Sequence, residues 1–414
     1  MNDAVPASEP EASSARNQMP PTVRRLGWLH AANDFTLDFI TPLLPAGVPA
    51  AWLGFMEGAA DAVAQVLKLV TGRKSDASGR RAAWVRAGYG TNAVVRPLAA
   101  VGMLLAWPAW IVGCRITDRI GKGLRSSASD ALVADWIDAS GRARAYAHMR
   151  TMDHLGATAG AGCAALVAWG LALDYAHPER LAWVVTSLAL PMLVMLWLCR
   201  GLRDHPEAKP KTNVASGWWP RSPALRLPLI AIGVASIGAK LAPLLILVQV
   251  AGIPLTPEQA AVSNAWPLWL VCVAWGAIAL VQAGAATLAG VLTDRMGARG
   301  FLMLSWLLTA AFFVTLTVAH GPWLVGAGLG WTVIAGLSDG AEKTWLADLA
   351  PNNERALAFG ALGVVIAAAM LMGSAVVGFG LVQFGSSIFW FPAAALGVGA
   401  LVTLGRDSAS LSSH

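Results

Sequence analysis

Apolar residues run along this chain in blocks of about twenty, separated by short polar connections. They do not follow the two-residue alternation of a half-buried strand or the single stripe of a soluble helix. A helix needs about 20 mostly apolar residues to cross a bilayer. Twelve blocks of that kind can be drawn, at 26–50, 54–72, 83–105, 108–134, 143–170, 180–201, 226–250, 264–290, 300–319, 323–348, 356–382 and 386–405. The pattern predicts an all-α membrane protein. A long polar connection over 202–224 divides it into two units, 24–201 and 225–406, each a bundle of six transmembrane helices. Residues 1–23 read as a disordered N-terminal tail and 407–414 as a C-terminal one.

Composition agrees. The chain is 56% hydrophobic and 13% charged, against about 25% charged in soluble domains. Its net charge of +6 therefore belongs to loops and does not point to nucleic acid. The tail and the loops on its side of the map carry twenty Lys and Arg, whereas the opposite loops carry one, Arg180. The positive-inside rule then places both termini in the cytoplasm. That reading expects a multi-pass protein of the inner (plasma) membrane. Cys114, Cys163, Cys199 and Cys272 lie in apolar blocks without paired spacing, so neither disulfides nor a zinc site is expected. The sequence contains no P-loop, no nucleophile–base motif and no metal-ligand cluster. It predicts no enzyme and no cofactor.

The two units echo each other. Gly72 to Arg81 (G-R-K-S-D-A-S-G-R-R) returns as Gly290 to Arg299 (G-V-L-T-D-R-M-G-A-R). Asp135, Arg142 and Tyr146 return as Asp348, Arg355 and Phe359, and Pro42-Leu-Leu returns as Pro243-Leu-Leu. Repeated halves with a substrate site at the midplane between them are a common build of secondary transporters.

Nine basic residues remain inside the apolar blocks: Lys68, Arg96, Arg115, Arg119, Lys122, Arg125, Arg150, Lys240 and Lys343. A charge at the bilayer centre costs about 2.5–3.5 kcal/mol on insertion scales, so these side chains must face protein or a water-filled cavity. Arg115, Arg119 and Lys122 recur at helical spacing on one face of the fourth block. With Lys68 and Arg96 they form a candidate substrate wall, because guanidinium and ammonium groups recognise anions. Asp34 and Asp38 lie one turn apart in the first block. Glu57 and Asp61 lie one turn apart in the second, on the face that also carries Lys68. Burial in low dielectric favours the protonated form of a carboxyl group, which is the chemistry of a proton-coupled carrier. The alternative is that these four acids simply pair with Lys68, Arg96 and Arg115. In the second unit Lys240, Asp339, Glu342 and Lys343 stand out, with Asp339 and Lys343 at self-neutralising spacing. Gly121 and Gly123 flank Lys122. They fit either a hinge in the fourth span or close packing of a continuous one.

The loop G-x-x-x-D-x-x-G-R-R after the second block, and its partner after the eighth, resemble the signature loop of the major facilitator superfamily. Ala77 stands where that family usually has a basic residue, whereas Arg295 keeps it in the second copy. The resemblance implies the twelve-span fold of two pseudo-symmetric bundles. It also implies a cytoplasmic gate around Asp76 and Asp294, with Arg80, Arg295, Asp130 and Asp135 beside them. N-D-F-x-x-D-F-I-T-P-L-L-P (Asn33–Pro45), E-G-x-x-D (Glu57–Asp61), R-P-L (Arg96–Leu98) and D-R-I-G-K-G-L-R (Asp118–Arg125) are similar to a bacterial group of these permeases. That group usually has Pro-Arg-Asp where this chain has Ala128-Ser129-Asp130.

The sequence thus predicts a monomeric secondary transporter embedded in the lipid bilayer. Its partners are a small anionic or zwitterionic organic molecule and protons, moved by alternating access. A multidrug or lipid exporter and a non-transporting receptor on the same fold are the alternatives.

Overall fold

The computed structural model describes residues 19–138, 141–206, 219–220, 222–253, 265–318, 330–331, 333–334, 341–342, 344–346, 348–350 and 355–411, some of them by backbone only. Helices account for the regular structure among them. They are α1 (Pro21–Ile40), α2 (Ala50–Ser78), α3 (Arg81–Leu104), α4 (Pro108–Trp136), α5 (Arg142–Gly170), α6 (Pro178–Ser187), α7 (Ala189–Arg200), α8 (Arg226–Ala239), α9 (Pro243–Val250), α10 (Leu268–Met296), α11 (Ala298–Val318), α12 (Arg355–Phe384) and α13 (Trp390–Leu411).

Local chemistry explains many of the boundaries. Proline sits at the first turn of α1, α4, α6 and α9, where its missing N–H has no partner to lose. Gly79 closes α2 with a positive φ of 67° and donates its N–H to the Ser75 carbonyl at 3.0 Å. A residue with a Cβ is strained in that left-handed conformation. The predicted sixth span divides at Leu188 into α6 and α7, three residues before Pro191.

The first and seventh spans break at matching places. After α1 the chain tightens into a 3-10 turn over Thr41–Ala46, which contains Pro42. After α8 it opens over Lys240–Ala242 and resumes at Pro243. These are the two prolines of the weak internal repeat. Polar groups freed by the breaks find side chains. Tyr175 donates its hydroxyl to the Pro42 carbonyl at 3.0 Å, and the Ala242 N–H donates to Ser374 Oγ at 3.3 Å. Backbone exposed at this depth without such partners costs several kcal/mol per group.

The fourth span, by contrast, is continuous from Pro108 to Trp136. Its two glycines serve packing. A Cβ on Gly121 would sit 2.2 Å from Asn92 Oδ1 in α3, and one on Gly123 would sit 2.6 Å from Leu67 Cβ in α2. Of the two readings of these glycines, close approach of three helices is the one these contacts support.

Within the first unit α1 packs on α5, and α4 packs on both α2 and α3. Within the second, α13 packs on α8 and α11. The halves meet where α2 runs along α12 and α5 along α10. At the first contact the Cβ position of Gly54 falls 2.6 Å from Gly378 Cα. One buried apolar cluster joins both halves around the 3-10 turn, through Phe39, Leu43, Leu245 and Cys272 among others. A second, around Leu26, Val85 and Leu132, holds residues of the first half only.

By length and apolarity alone, four described stretches suffice to cross a membrane: Pro178–Arg200, Pro223–Val250, Ala298–Val318 and Leu357–Leu404. The helices α2 and α4 match or exceed the length of three of these but carry more charge, of which Glu57, Arg115, Asp118 and Arg119 are buried. The four cysteines are free thiols.

Two glycines of α5 test the packing account. Gly160 faces the Phe35 carbonyl, 2.0 Å from where a Cβ would lie, whereas Gly162 has open space. Gly160→Ala should destabilise the protein by about 1–3 kcal/mol through overpacking, and Gly162→Ala should be neutral or slightly stabilising. Thermal unfolding of the detergent-solubilised variants checks the difference.

Candidate functional site

Three charged residues of α4, Arg115, Asp118 and Arg119, are met by side chains from α2 and α3. Arg115 forms a two-pronged pair with Glu57, Nε to Oε1 at 2.8 Å and Nη2 to Oε2 at 2.9 Å. Arg96 donates its Nε to Asp118 Oδ1 at 2.8 Å and its Nη2 to Asn33 Oδ1 at 3.0 Å, and also bonds Thr36 Oγ1. Asn92 donates to the same Asp118 carboxylate. Arg119 lies 3.3 Å from Asp61, Nε to Oδ1, in a looser alignment that leaves Nε without a hydrogen bond. All these side chains except Asp61 are buried. Planar guanidinium–carboxylate geometry makes such contacts directional as well as strong.

Five of the sequence-predicted residues, Arg96, Arg115, Arg119, Glu57 and Asp61, have ion-pair partners in the fold. Of these contacts only Arg115–Glu57 is a pair that the pairing alternative named. Lys122 differs. Its side chain is exposed although Arg115 and Arg119, on the same helix face, are buried. It makes no hydrogen bond or ion pair among the described residues, and its charged neighbours are Arg119, Asp61, Arg125 and Asp34. Lys68 is also exposed, two turns beyond the acidic pair, and its carbonyl accepts from Ser127 Oγ at 2.8 Å.

On α1, Asp34 accepts only from its neighbour Asn33, at 2.7 Å. Asp38 accepts from the indole Nε1 of Trp275 at 2.7 Å. That bond crosses from the first half to α10 of the second. His30 hydrogen-bonds Asp153 at 2.7 Å and Ser129 at 3.1 Å through its two ring nitrogens. Arg125 stacks over the Tyr89 ring at 4.7 Å.

At the predicted cytoplasmic end the hub is Arg81. This buried arginine reaches Asp76 at 2.8 Å and Asp135 at 2.5 Å. Arg80, predicted for the gate, is exposed, and its backbone N–H is held by Ser78. Asp130 is exposed as well, and its engaged group is the backbone carbonyl, which accepts from Tyr146. Asp204 caps α3 by accepting from the Ala82 N–H at 2.7 Å. In the second copy Arg295 is exposed, and the side chain of Asp294 lies outside the described residues. Asp339 and Lys343 lie outside them too, whereas Lys240 pairs with buried Glu342 at 3.2 Å.

Sequence reasoning passed over Arg81, His30, Asn92 and Trp275. Arg81 had a signal, as the second arginine of the Gly79-Arg80-Arg81 run. Trp275 had none, being one aromatic within an apolar block.

A family model described as Major Facilitator Superfamily matches residues 27–281 and 273–413. The chain belongs to the major facilitator superfamily. It is a membrane transporter of that family and not an enzyme. A protein of Mycobacterium tuberculosis described only as uncharacterized is 27% identical over 351 residues, covering 81% of this chain and 80% of that one. The multidrug resistance protein MdtH of Cronobacter sakazakii is 34% identical over 136 residues, covering 32% of this chain and 33% of that one. In fold, the chain is similar to the crystal structure of the nucleoside transporter NupG, with TM-score 0.75, 11% identity and coverage of 93% and 99% of the two chains. It is also similar to that of a D-xylose–proton symporter, with TM-score 0.60, 17% identity and coverage of 92% and 95%.

The pairing has an energetic signature. Glu57→Gln leaves the Arg115 guanidinium buried without a counter-charge and should cost about 3–5 kcal/mol. The double variant Glu57→Gln, Arg115→Gln removes both charges and should regain more than half of that. Arg81→Gln should be similarly costly and Arg80→Gln near neutral. A double-mutant cycle by thermal unfolding reads these values.

Proposed function

We propose that this protein is a proton-coupled secondary transporter that carries a small anionic or zwitterionic organic molecule by alternating access. In this reading twelve spans form two six-helix bundles, residues 24–201 and 225–406, joined by the linker 202–224. Both termini are cytoplasmic, the membrane is the inner one, and the working unit is a monomer. Asp34, Asp38, Glu57 and Asp61 form the coupling group, and Arg119 and Lys122 head the substrate wall. Asp76, Arg81, Asp135, Asp294 and Arg295 belong to the cytoplasmic gate.

The observation that carries the reading is the Asp38–Trp275 hydrogen bond. It places a titratable carboxylate of one half in direct contact with the other half, at membrane depth. A proton arriving on Asp38 changes what that carboxyl group can accept, and therefore the contact between the halves. Glu57 and Asp61 are held by arginines of their own half, so their protonation acts first on α4. The apolar cluster that joins the halves reaches the 3-10 turn through Leu43 and Leu44 and extends through the second half to Leu225, Ala298 and Ala358. The local similarity to MdtH favours a drug exporter as the second reading, and the charge density on α4 speaks against an apolar cargo.

Two measurements test this reading. In proteoliposomes supplied with a metabolite panel, an inward pH gradient should drive accumulation by the native chain. Asp38→Asn should reduce that accumulation at least tenfold and leave counterflow in place. An undiminished response in Asp38→Asn would move the coupling site elsewhere. For topology, single cysteines at Ser78 and Asp174 should label from opposite sides of the membrane.

A further inference from the structure

The charges around α1 and α4 do not all cancel. Three arginines have carboxylate partners in pairs Arg96–Asp118, Arg115–Glu57 and Arg119–Asp61. Two basic side chains near Asp34 are engaged away from it, Arg125 over Tyr89 and His30 with Asp153 and Ser129. Lys122 on α4, and Asp34 and Asp38 on α1, remain without an ion pair among the described residues. The two helices pack directly, and Asp34 is among the charged neighbours of Lys122. Lys122 is exposed at mid-helix, which in a membrane span means an aqueous cavity. Asp34 is half-buried. Its one hydrogen bond, from Asn33, occupies Oδ1, and Oδ2 is not buried.

Such a cavity is bipolar. A purely anionic cargo satisfies Lys122 but faces repulsion from Asp34 and Asp38, and a purely cationic one meets the reverse. A molecule bearing both charges pairs with both walls, and each pair is stronger in the reduced dielectric of the site than in water. Resting on the transporter reading above, we propose that the cavity between α1 and α4 takes a small amphoteric molecule, with its ammonium group on Asp34 and its anionic group on Lys122. Asp34 thereby passes from the coupling group named above to the cargo, and Asp38, already bonded to Trp275, keeps the coupling between halves. Arg119 stands behind Lys122, and its loose contact with Asp61 lets it turn towards the anionic group.

The test uses the full-length protein in detergent and in proteoliposomes. The probes are α- and ω-amino acids of two to six carbons, aminoalkyl phosphates, and for each the matched alkylamine and the matched carboxylate or phosphate. Thermal shift and counterflow are read for the native chain, Asp34→Asn and Lys122→Gln. Neither substitution strips a partner from a salt bridge, and size-exclusion chromatography confirms that both variants fold. At least one amphoteric probe should bind the native chain ten or more times more tightly than its amine and its anion. Asp34→Asn should lose that margin over the anion, and Lys122→Gln should lose it over the amine. If anions bind as well as their amphoteric counterparts and Asp34→Asn changes nothing, the amphoteric site is wrong and an anion carrier stands. If amines alone bind, it is equally wrong. If no probe of any class shifts or exchanges, both this inference and the small polar substrate of the transporter reading fall.

Discussion

An ionised side chain cannot face hydrocarbon without a cost of several kcal/mol, and the first half of this protein is arranged around that constraint. Its α4 carries basic and acidic groups along one continuous helix, and α1, α2 and α3 each turn polar groups towards it. The Arg115–Glu57 pair ties α4 to α2. The Arg96–Asp118 pair ties α3 to α4, and the remaining donors of Arg96 reach α1. One guanidinium group thereby fixes three helices in register. Removing any one partner leaves a buried charge, which is why such networks hold geometry more than they add net stability. Their presence also separates the structural charges from those left to meet a cargo.

The second constraint concerns the backbone. The first and seventh spans each break just before or at a proline, at positions the internal repeat makes equivalent. A broken helix in a bilayer needs partners for its freed N–H and C=O groups. Here they come from Tyr175 and Ser374, neither on the broken span itself. Ser374 belongs to α12, which also accepts the close approach of α2 through Gly378. Breaks, glycine contacts and the Asp38–Trp275 bond therefore concentrate where the two halves touch. A shift of one half against the other has to act on all of them together.

The two halves share a fold and differ in chemistry. The second half has the Lys240–Glu342 ion pair among its described residues, whereas the first has the buried Arg96–Asp118 and Arg115–Glu57 pairs and, apart from them, buried Arg81 with Asp76 and Asp135. Among the described residues, the buried charges gather mainly in the first half, and Trp275 of the second meets Asp38 with its indole.

Much of this was legible from the order of residues alone. Hydrophobic block length predicts helices whatever their neighbours, because a span must satisfy its backbone within itself. The cost of charge in hydrocarbon likewise announces that Arg115, Arg119 and Lys122 face inward. Repetition of the Gly72–Arg81 loop and of Pro42 ahead of paired leucines announces two related halves. Which carboxylate meets which arginine depends on helix rotation and crossing, and no local pattern encodes these. Hence Arg81, and not its exposed neighbour Arg80, became the hub, and which neighbours Gly121 and Gly123 approach, Asn92 and Leu67, was decided by the packing. Trp275 reached Asp38 across 237 residues of sequence, a contact that only the packing of two bundles creates. Helix periodicity reports which face of a span is polar, and the tertiary structure decides what that face meets.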